Sequence, residues 1–144
     1  MIVSTKGRYA LRVMIDLAEH RSEKYVPLKE VAARQEISEK YLENILKVLV
    51  QNGFLEGLRG KGGGYALAQE AAAIKAGDVL RAVEGTTAPV ACLDLEEGMA
   101  CPRAGECTTV RFWAGLDGVI ERYVDGVTLA DLAGEPGPLP VPAI

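Results

Sequence analysis

The sequence predicts a mainly α-helical protein with one small β-hairpin, arranged as a winged helix-turn-helix head followed by a long helix. Three observations support this fold class. Two helices are separated by a three-residue turn, a glycine-rich hairpin follows the second of them, and a long apolar stripe recurs at helical spacing nearer the C-terminus. The chain has 144 residues, of which 49% are hydrophobic, and is therefore large enough to bury a core of its own.

The first two helices are predicted from hydrophobic periodicity and from the breaks that bound it. Apolar residues recur every three or four positions from Ser4 to about Arg21, which predicts the first helix. The break at 26–28 ends this pattern, and a short second helix begins at Leu28. Residues 35–37 then form a tight connection to the next helix. This order is typical of a helix-turn-helix unit.

The third helix is the predicted recognition helix. Ser38 is its predicted N-cap, and Asn52 with Gly53 ends it. Its predicted polar face consists of Lys40, Glu43, Asn44 and Lys47. In the major groove, glutamate can accept a hydrogen bond from cytosine, asparagine can pair with adenine, and lysine reaches guanine or phosphate. A merely solvated helix face is the alternative, but the preceding turn and the following hairpin favour DNA recognition.

The hairpin after the third helix is the predicted wing. Its strands are predicted at 54–58 and 65–68, and the turn over 59–64 contains four glycines together with Arg59 and Lys61. Glycine lets the backbone approach a phosphate or the minor groove, while the two cations supply charge. A DNA-contacting wing is therefore predicted, with a merely flexible hairpin as the alternative.

The glycine run does not match a nucleotide-binding motif. A P-loop would need glycine at the position of Leu55 and serine or threonine at the position of Gly62. A dinucleotide fingerprint would need glycine at the position of Tyr65 and a helix opening there.

The net charge of −4 is unevenly distributed along the chain. Residues 1–70 carry 11 Lys and Arg against 9 Asp and Glu, a balance of +2, whereas residues 71–144 carry 5 against 11, a balance of −6. The basic part is thus the predicted head, where binding to DNA phosphates is expected. Because the sequence shows neither an apolar run of membrane-spanning length nor a signal peptide, a cytoplasmic location without membrane association is expected.

The C-terminal half divides into a loop, a long helix and a tail. A helix over 76–84 closes the head, and the following residues lack periodicity. A broad apolar stripe from Thr108 to about Asp125 predicts a long helix that needs a partner, and Thr128 with Asp131 predicts a capping box for a last short helix. The predicted domains are a winged-helix DNA-binding domain at 1–85, a cysteine-containing effector loop at 86–107, a dimerisation helix with a terminal short helix at 108–134, and a disordered tail at 135–144.

The three cysteines are Cys92, Cys101 and Cys107, with eight and then five residues between them. This spacing differs from the paired cysteines of zinc fingers and of thioredoxin-like sites. Thiolates also hold iron–sulfur clusters, which tolerate irregular loops. The spacing therefore favours a cluster, while zinc, a redox switch and structural thiols remain open. No histidine or acidic residue stands at the spacing of a nucleophile–base pair, so an enzyme is not expected.

Three segments carry motifs of a known family: STKGRYAL at 4–11, SEKYLE at 38–43 and RGKGGGY at 59–65. In this combination the chain resembles, from residue 1 to about 133, the iron–sulfur cluster regulators of the IscR type and their relatives NsrR and CymR. The resemblance implies a homodimer that binds a double-stranded DNA operator. By position, the DNA contacts that it implies are Leu28, Ser38, Lys40, Glu43, Asn44, Arg59 and Gly60.

The resemblance also implies a cluster of the 2Fe–2S type on the three cysteines. A histidine three residues after the last cysteine is the fourth ligand in IscR proteins, but this chain has Val110 there. Its only histidine, His20, lies at the end of the first helix, where a surface or hydrogen-bonded role is expected. Some relatives use an acidic side chain near the start of the partner's first helix, where this chain has Arg8 and Arg12. The fourth ligand stays open among Glu106, Asp94, Thr109, a backbone group and solvent.

The predicted function is that of a transcription factor, a repressor or an activator, which senses cluster status. It is expected to control iron–sulfur cluster biogenesis or cysteine supply. The alternative keeps the DNA-binding head but replaces the cluster by a thiol–disulfide switch of Cys101 and Cys107, or by control through a partner protein as in CymR.

Overall fold

A computed structural model describes residues 3–21, 24–93, 101–103, 105–134, 137–139 and 141. Six helices and two strands follow in the order α1 Thr5–Glu19, α2 Leu28–Gln35, α3 Glu39–Gln51, β1 Leu55–Leu58, β2 Gly64–Leu67, α4 Ala76–Glu84, α5 Val110–Gly126 and α6 Leu129–Leu132. Two short 3-10 turns lie at Ala71–Ala73 and Ala91–Leu93. This architecture confirms the predicted fold class.

Helices α1 and α3 each begin after a serine that caps the first turn. The Ser4 hydroxyl accepts a hydrogen bond from the backbone N–H of Gly7 at 3.2 Å, and the Ser38 hydroxyl accepts one from that of Tyr41 at 3.2 Å. Each bond satisfies an N–H group that has no partner within its own helix. Ser38 is thus confirmed as the N-cap of α3.

The turn between α2 and α3 depends on one left-handed residue. Glu36 has φ 54, and among the described residues it alone is a non-glycine residue with positive φ. The N–H of Ile37 donates to the carbonyl of Ala32 at 3.1 Å, which closes the end of α2. The chain therefore turns within 36–38, and α3 packs against α2 as in a helix-turn-helix unit.

The wing is an antiparallel hairpin in which Leu55 pairs with Leu67 and Leu58 with Gly64. Its turn contains Gly60 with φ 93, a conformation that glycine adopts without the steric cost that a Cβ brings. Val26 adds a third, isolated pairing, since it exchanges two 2.9 Å backbone hydrogen bonds with Tyr65. The segment predicted only as a break therefore also holds the wing against the head.

The core lies between α1, α2, α3, α4 and α6. Its fully buried side chains include Met14, Leu42, Leu46 and Leu129. Leu129 belongs to α6, whose predicted capping box of Thr128 and Asp131 is confirmed. The short last helix thus packs within the core of the head, although the predicted division of the chain groups it with the long helix. That division stays a prediction.

Helix α5 differs from the rest because none of its residues is buried. Phe112 is 65% exposed and Leu116 is 38% exposed. The C-terminal end of the helix contacts α4, where a nitrogen of Arg81 lies 2.5 Å from a carboxylate oxygen of Asp125. Across the described residues, no helix has both the length and the apolar character needed to cross a membrane.

Candidate nucleic-acid interface and cysteine segment

The two faces of α3 separate as the sequence predicts. The apolar residues Leu42, Ile45, Leu46 and Leu49 are fully buried in the core. The polar residues Lys40, Glu43, Asn44 and Lys47 are all exposed. Four side chains suited to base edges or phosphates therefore share one accessible face of a helix whose other face fixes it to the head. Their contact with DNA stays a prediction.

A cleft of about 510 Å³ separates α3 from the wing. Glu43 and Lys47 line it from the helix, and Leu58 with Arg59 lines it from the hairpin. Arg59, Gly60 and Lys61 are exposed at the tip of the wing. Helix α3 and the hairpin thus stand on either side of an open cleft, and the passage of a DNA backbone between them stays a prediction.

The remaining predicted contacts lie at the start of the helices. The Ser38 hydroxyl accepts from the Tyr41 N–H, and its own proton is left to donate outward. Leu28 begins α2 and is half-buried against the core. Next to them, the rings of Tyr9 and Tyr41 meet edge to face with centroids 5.9 Å apart. Thus α1 packs directly on the first turn of the recognition helix.

A buried carboxylate under the helix-turn-helix unit was missed by the sequence analysis. Asp16 of α1 is 2% exposed and accepts hydrogen bonds from the side chains of Arg34 and Gln35. The only sequence signal was an acidic residue within the apolar stripe of α1. His20 also contacts Asp16, because its Nδ1 lies 2.7 Å from the Asp16 carbonyl oxygen. The single histidine is therefore already hydrogen-bonded within α1.

All three cysteines are free. Cys92 is exposed in the short turn after α4, while Cys101 and Cys107 are half-buried on the approach to α5. Within the described ranges, which omit 94–100 and 104, no three His, Cys, Asp or Glu side chains meet in an arrangement that could hold a metal ion. Asp94, one candidate fourth ligand, lies outside the described residues.

Cys107 has the most polar surroundings that the structure describes for a thiol. Its Sγ lies 3.4 Å from the Thr109 hydroxyl oxygen. Hydrogen bonds from the Thr109 side chain and backbone lower the pKa of the Cys107 thiol, and smaller contributions come from the Val110 backbone and the charge of Arg103. The thiolate is the form that binds metal.

The donor set therefore fits an iron–sulfur cluster in chemistry, since three free thiols lie on one segment and the pKa of one of them, Cys107, is lowered. Val110 is the first residue of α5 and offers no side-chain ligand. Glu106 is exposed, and the Thr109 hydroxyl already contacts Cys107. Cluster ligation by this set, and the identity of a fourth ligand, stay predictions.

Comparison with known proteins agrees with this architecture. Residues 3–135 match the family model described as Rrf2, iron-dependent transcriptional regulator. The chain is 42% identical over 132 residues to protein rrf2 of Nitratidesulfovibrio vulgaris, which covers 92% of this chain and 87% of that protein. Its fold is similar to that of IscR from T. potens, with a TM-score of 0.72 and 39% identity over 92% of this chain and 85% of the other.

A second solved structure is that of CymR, described as the global cysteine regulator of B. subtilis. It has a TM-score of 0.71 and 36% identity, and the match covers 92% of this chain and 96% of CymR. The family model and these relatives confirm the resemblance inferred from the three sequence motifs. The chain therefore belongs to the Rrf2 family, whose members are transcriptional regulators and not enzymes.

Proposed function

We propose that this protein binds an operator as a homodimer and that an iron–sulfur cluster on Cys92, Cys101 and Cys107 controls its affinity. The observation that carries the proposal is the placement of three free thiols between the head and α5, in a chain similar to IscR. The genes under control are then those of iron–sulfur cluster biogenesis or of cysteine supply.

The DNA-binding mode follows from the two exposed elements of the head. Helix α3 enters the major groove with Lys40, Glu43, Asn44 and Lys47. Arg59, Gly60 and Lys61 of the wing reach the adjacent backbone or minor groove. Leu28 and Ser38 contact the DNA beside the first turn of α3. The cleft between helix and wing is where the DNA backbone lies.

The proposal of a dimer rests on the exposed apolar side chains of α5. Phe112 and Leu116 are exposed apolar side chains on a long helix, and Phe112 stacks edge to face on Trp113 with centroids 4.8 Å apart. A second copy of the same helix would remove this surface from water. Two heads held in this way would read two half-sites about one helical turn apart.

Control through the cysteines follows from where they lie along the chain. Cys92 comes shortly after the end of α4, and Cys107 shortly before the start of α5. A bound cluster, expected to be of the 2Fe–2S type, would supply iron–thiolate bonds across this connection. The thiols would thereby restrict how α5 leaves the head, which shifts the population of dimers whose two heads match the operator.

The first test is purification under anaerobic conditions, followed by iron and sulfide assays and by measurement of affinity for a duplex that the protein selects from a randomised pool. We expect a coloured protein whose iron content and operator affinity both change in Cys92→Ala. Thr108→Ala, an exposed residue of the same connection, is the matched control and should change neither. A colourless, metal-free protein whose affinity is insensitive to Cys92→Ala would contradict cluster control.

The same preparation tests the alternative, which the similarity to CymR and the proximity of Cys101 to Cys107 in sequence keep open. After treatment with an added oxidant, which accepts two electrons while two protons leave, a thiol switch predicts one disulfide-linked peptide pair that contains Cys101 and Cys107 and is lighter by two hydrogen atoms. Control by a partner protein predicts neither this mass change nor a bound metal.

A further inference from the structure

An ionic network centred on the buried carboxylate of Asp16 joins α1 to the end of α2. The Asp16 carboxylate accepts two hydrogen bonds from the Arg34 guanidinium, at 3.0 Å from Nε and 2.8 Å from Nη2. A third comes from the Gln35 side-chain nitrogen at 2.9 Å. Such a bidentate pair fixes orientation as well as distance, because both planar groups must be aligned.

The network continues from Gln35 into the turn. The Gln35 side-chain oxygen accepts from Arg12 Nε at 3.1 Å, and the Gln35 carbonyl accepts from Arg12 Nη2. Arg12 and Asp16 are four residues apart on α1 and therefore lie on the same face of the helix, where both hydrogen-bond to Gln35. Gln35 is the last residue of α2, and the left-handed Glu36 follows it directly. Helix α1 thus holds the residue at which the turn begins.

The charges around Asp16 show that the carboxylate is ionised. Burial raises its pKa, but hydrogen bonds from Arg34 and Gln35 and the charges of Arg34 and His20 outweigh burial, so the pKa lies below its ordinary value. A carboxylate oxygen of Glu30 also lies 3.6 Å from Arg34 Nη1. The Arg34 side chain is 32% exposed, and a partly buried ion pair contributes little net stability compared with apolar side chains of similar volume. Its clearer effect is to select one geometry.

We propose that Asp16 is a positioning residue for operator recognition, which acts through Gln35 and Arg12 on the angle at which α3 meets DNA. This inference rests on the proposed DNA-binding function and adds to it a residue that does not touch DNA. The buried stripe of α3, with Leu42 and Leu46, keeps the helix folded on the head. Its N-terminal turn, which reads base edges in such motifs, is held through the turn at 36–38.

The test compares Asp16→Asn, Gln35→Ala and the control Glu70→Gln. The control removes an exposed ion pair with Arg21 that lies away from the turn. Each full-length variant is titrated with a duplex that the wild-type protein selects from a randomised pool and with a scrambled duplex of equal composition. Titration under stoichiometric conditions gives the active fraction, so that simple unfolding is separated from altered recognition.

We expect the preference for the selected over the scrambled duplex to fall about tenfold in Asp16→Asn and about threefold in Gln35→Ala, within the range seen for residues that act through a network. Glu70→Gln should keep the wild-type preference. A merely stabilising role would lower the active fraction and leave the preference of the active molecules unchanged, which would overturn the proposal.

Hydrogen exchange on the free proteins gives an independent readout. Amides at 35–41 should exchange faster in Gln35→Ala, whereas those of α4 should not change. If Asp16→Asn does not fold, Gln35→Ala decides the outcome, since it leaves the Asp16–Arg34 pair in place. If the wild-type protein selects no duplex, the proposed function fails, and unchanged exchange at 35–41 would then separately overturn the positioning role of Asp16.

Discussion

The head and α5 differ in how far their apolar side chains are buried. In α3 the whole apolar stripe is buried within one chain, and Leu46 is inaccessible to solvent. In α5 a comparable stripe leaves Phe112 65% exposed and buries no residue. The head therefore buries its apolar stripe within one chain, whereas the apolar side chains of α5 stay accessible to solvent. This contrast is the basis for the proposal that the head reads DNA and that α5 assembles the dimer.

The two regions meet where α4 contacts the C-terminal end of α5. Gly77 of α4 lies against the side chains of Asp125 and Val124 of α5, so that a Cβ at this position would require those side chains to move. The Arg81–Asp125 pair and a 2.8 Å hydrogen bond from the Ala76 N–H to the Val127 carbonyl hold the same place. These contacts fix the C-terminal end of α5 on the head.

The largest expected effect is a loss of folding stability in the head. Leu46→Ala should lower the free energy of unfolding by about 2–5 kcal/mol, because it opens a cavity in a fully packed core. Val50→Ala on the same helix, where the side chain is 37% exposed, is the matched control. Urea unfolding followed by circular dichroism measures both. Equal losses in the two variants would contradict the assignment of the core.

The next effect concerns the partner surface of α5. The double variant Phe112→Ala, Leu116→Ala should weaken dimerisation by about 2 kcal/mol or more, a factor of about 30, because apolar anchors carry most of the energy of an interface. Sedimentation equilibrium measures the dissociation constant, with the exposed polar change Glu121→Gln as control. An unchanged dissociation constant would show that α5 is not the dimer interface.

A smaller effect is expected for the pH dependence of stability that Asp16 contributes through its ionic network. Because the pKa of Asp16 is lowered in the folded state, the group stabilises the protein above its unfolded-state pKa, and this contribution is lost as the pH falls through the folded-state pKa. The difference in unfolding free energy between wild type and Asp16→Asn should therefore shrink on acidification from neutral pH to below the ordinary aspartate value of about 3.9. A difference that stays constant over this range in urea titrations would argue against an ionised, paired carboxylate.

The smallest effect concerns the wing. Arg59→Ala and Lys61→Ala should each reduce the slope of log affinity against log salt by about 0.9 if each cation neutralises one phosphate. Arg122→Ala, on the exposed face of α5, provides the control. The slopes are measured by fluorescence anisotropy. Slopes equal to the wild-type slope would show that Arg59 and Lys61 of the wing do not contact DNA phosphates.

Most of the fold could be predicted because its signals are local. The cap at Ser38, the capping box at Thr128 and the bounds of α4 at Ala76–Glu84 each depend on neighbouring residues. The pairing of Val26 with Tyr65 could not be predicted, because it joins residues far apart in sequence by backbone atoms alone. The same distinction holds for the candidate site. The exposed face of α3 could be predicted from periodicity, whereas the partners of Asp16 could not, because they lie on another helix.

The sequence alone determined the class of this protein, because helical period, capping residues and the glycine turn act over a few residues, and because three motifs resemble one family. Only the tertiary structure decided that α6 completes the core of the head, that α5 buries no side chain, and that Asp16 lies under the helix-turn-helix turn. Each of these depends on how segments distant in sequence share the limited interior of the molecule, and hydrophobic periodicity does not say which apolar faces meet.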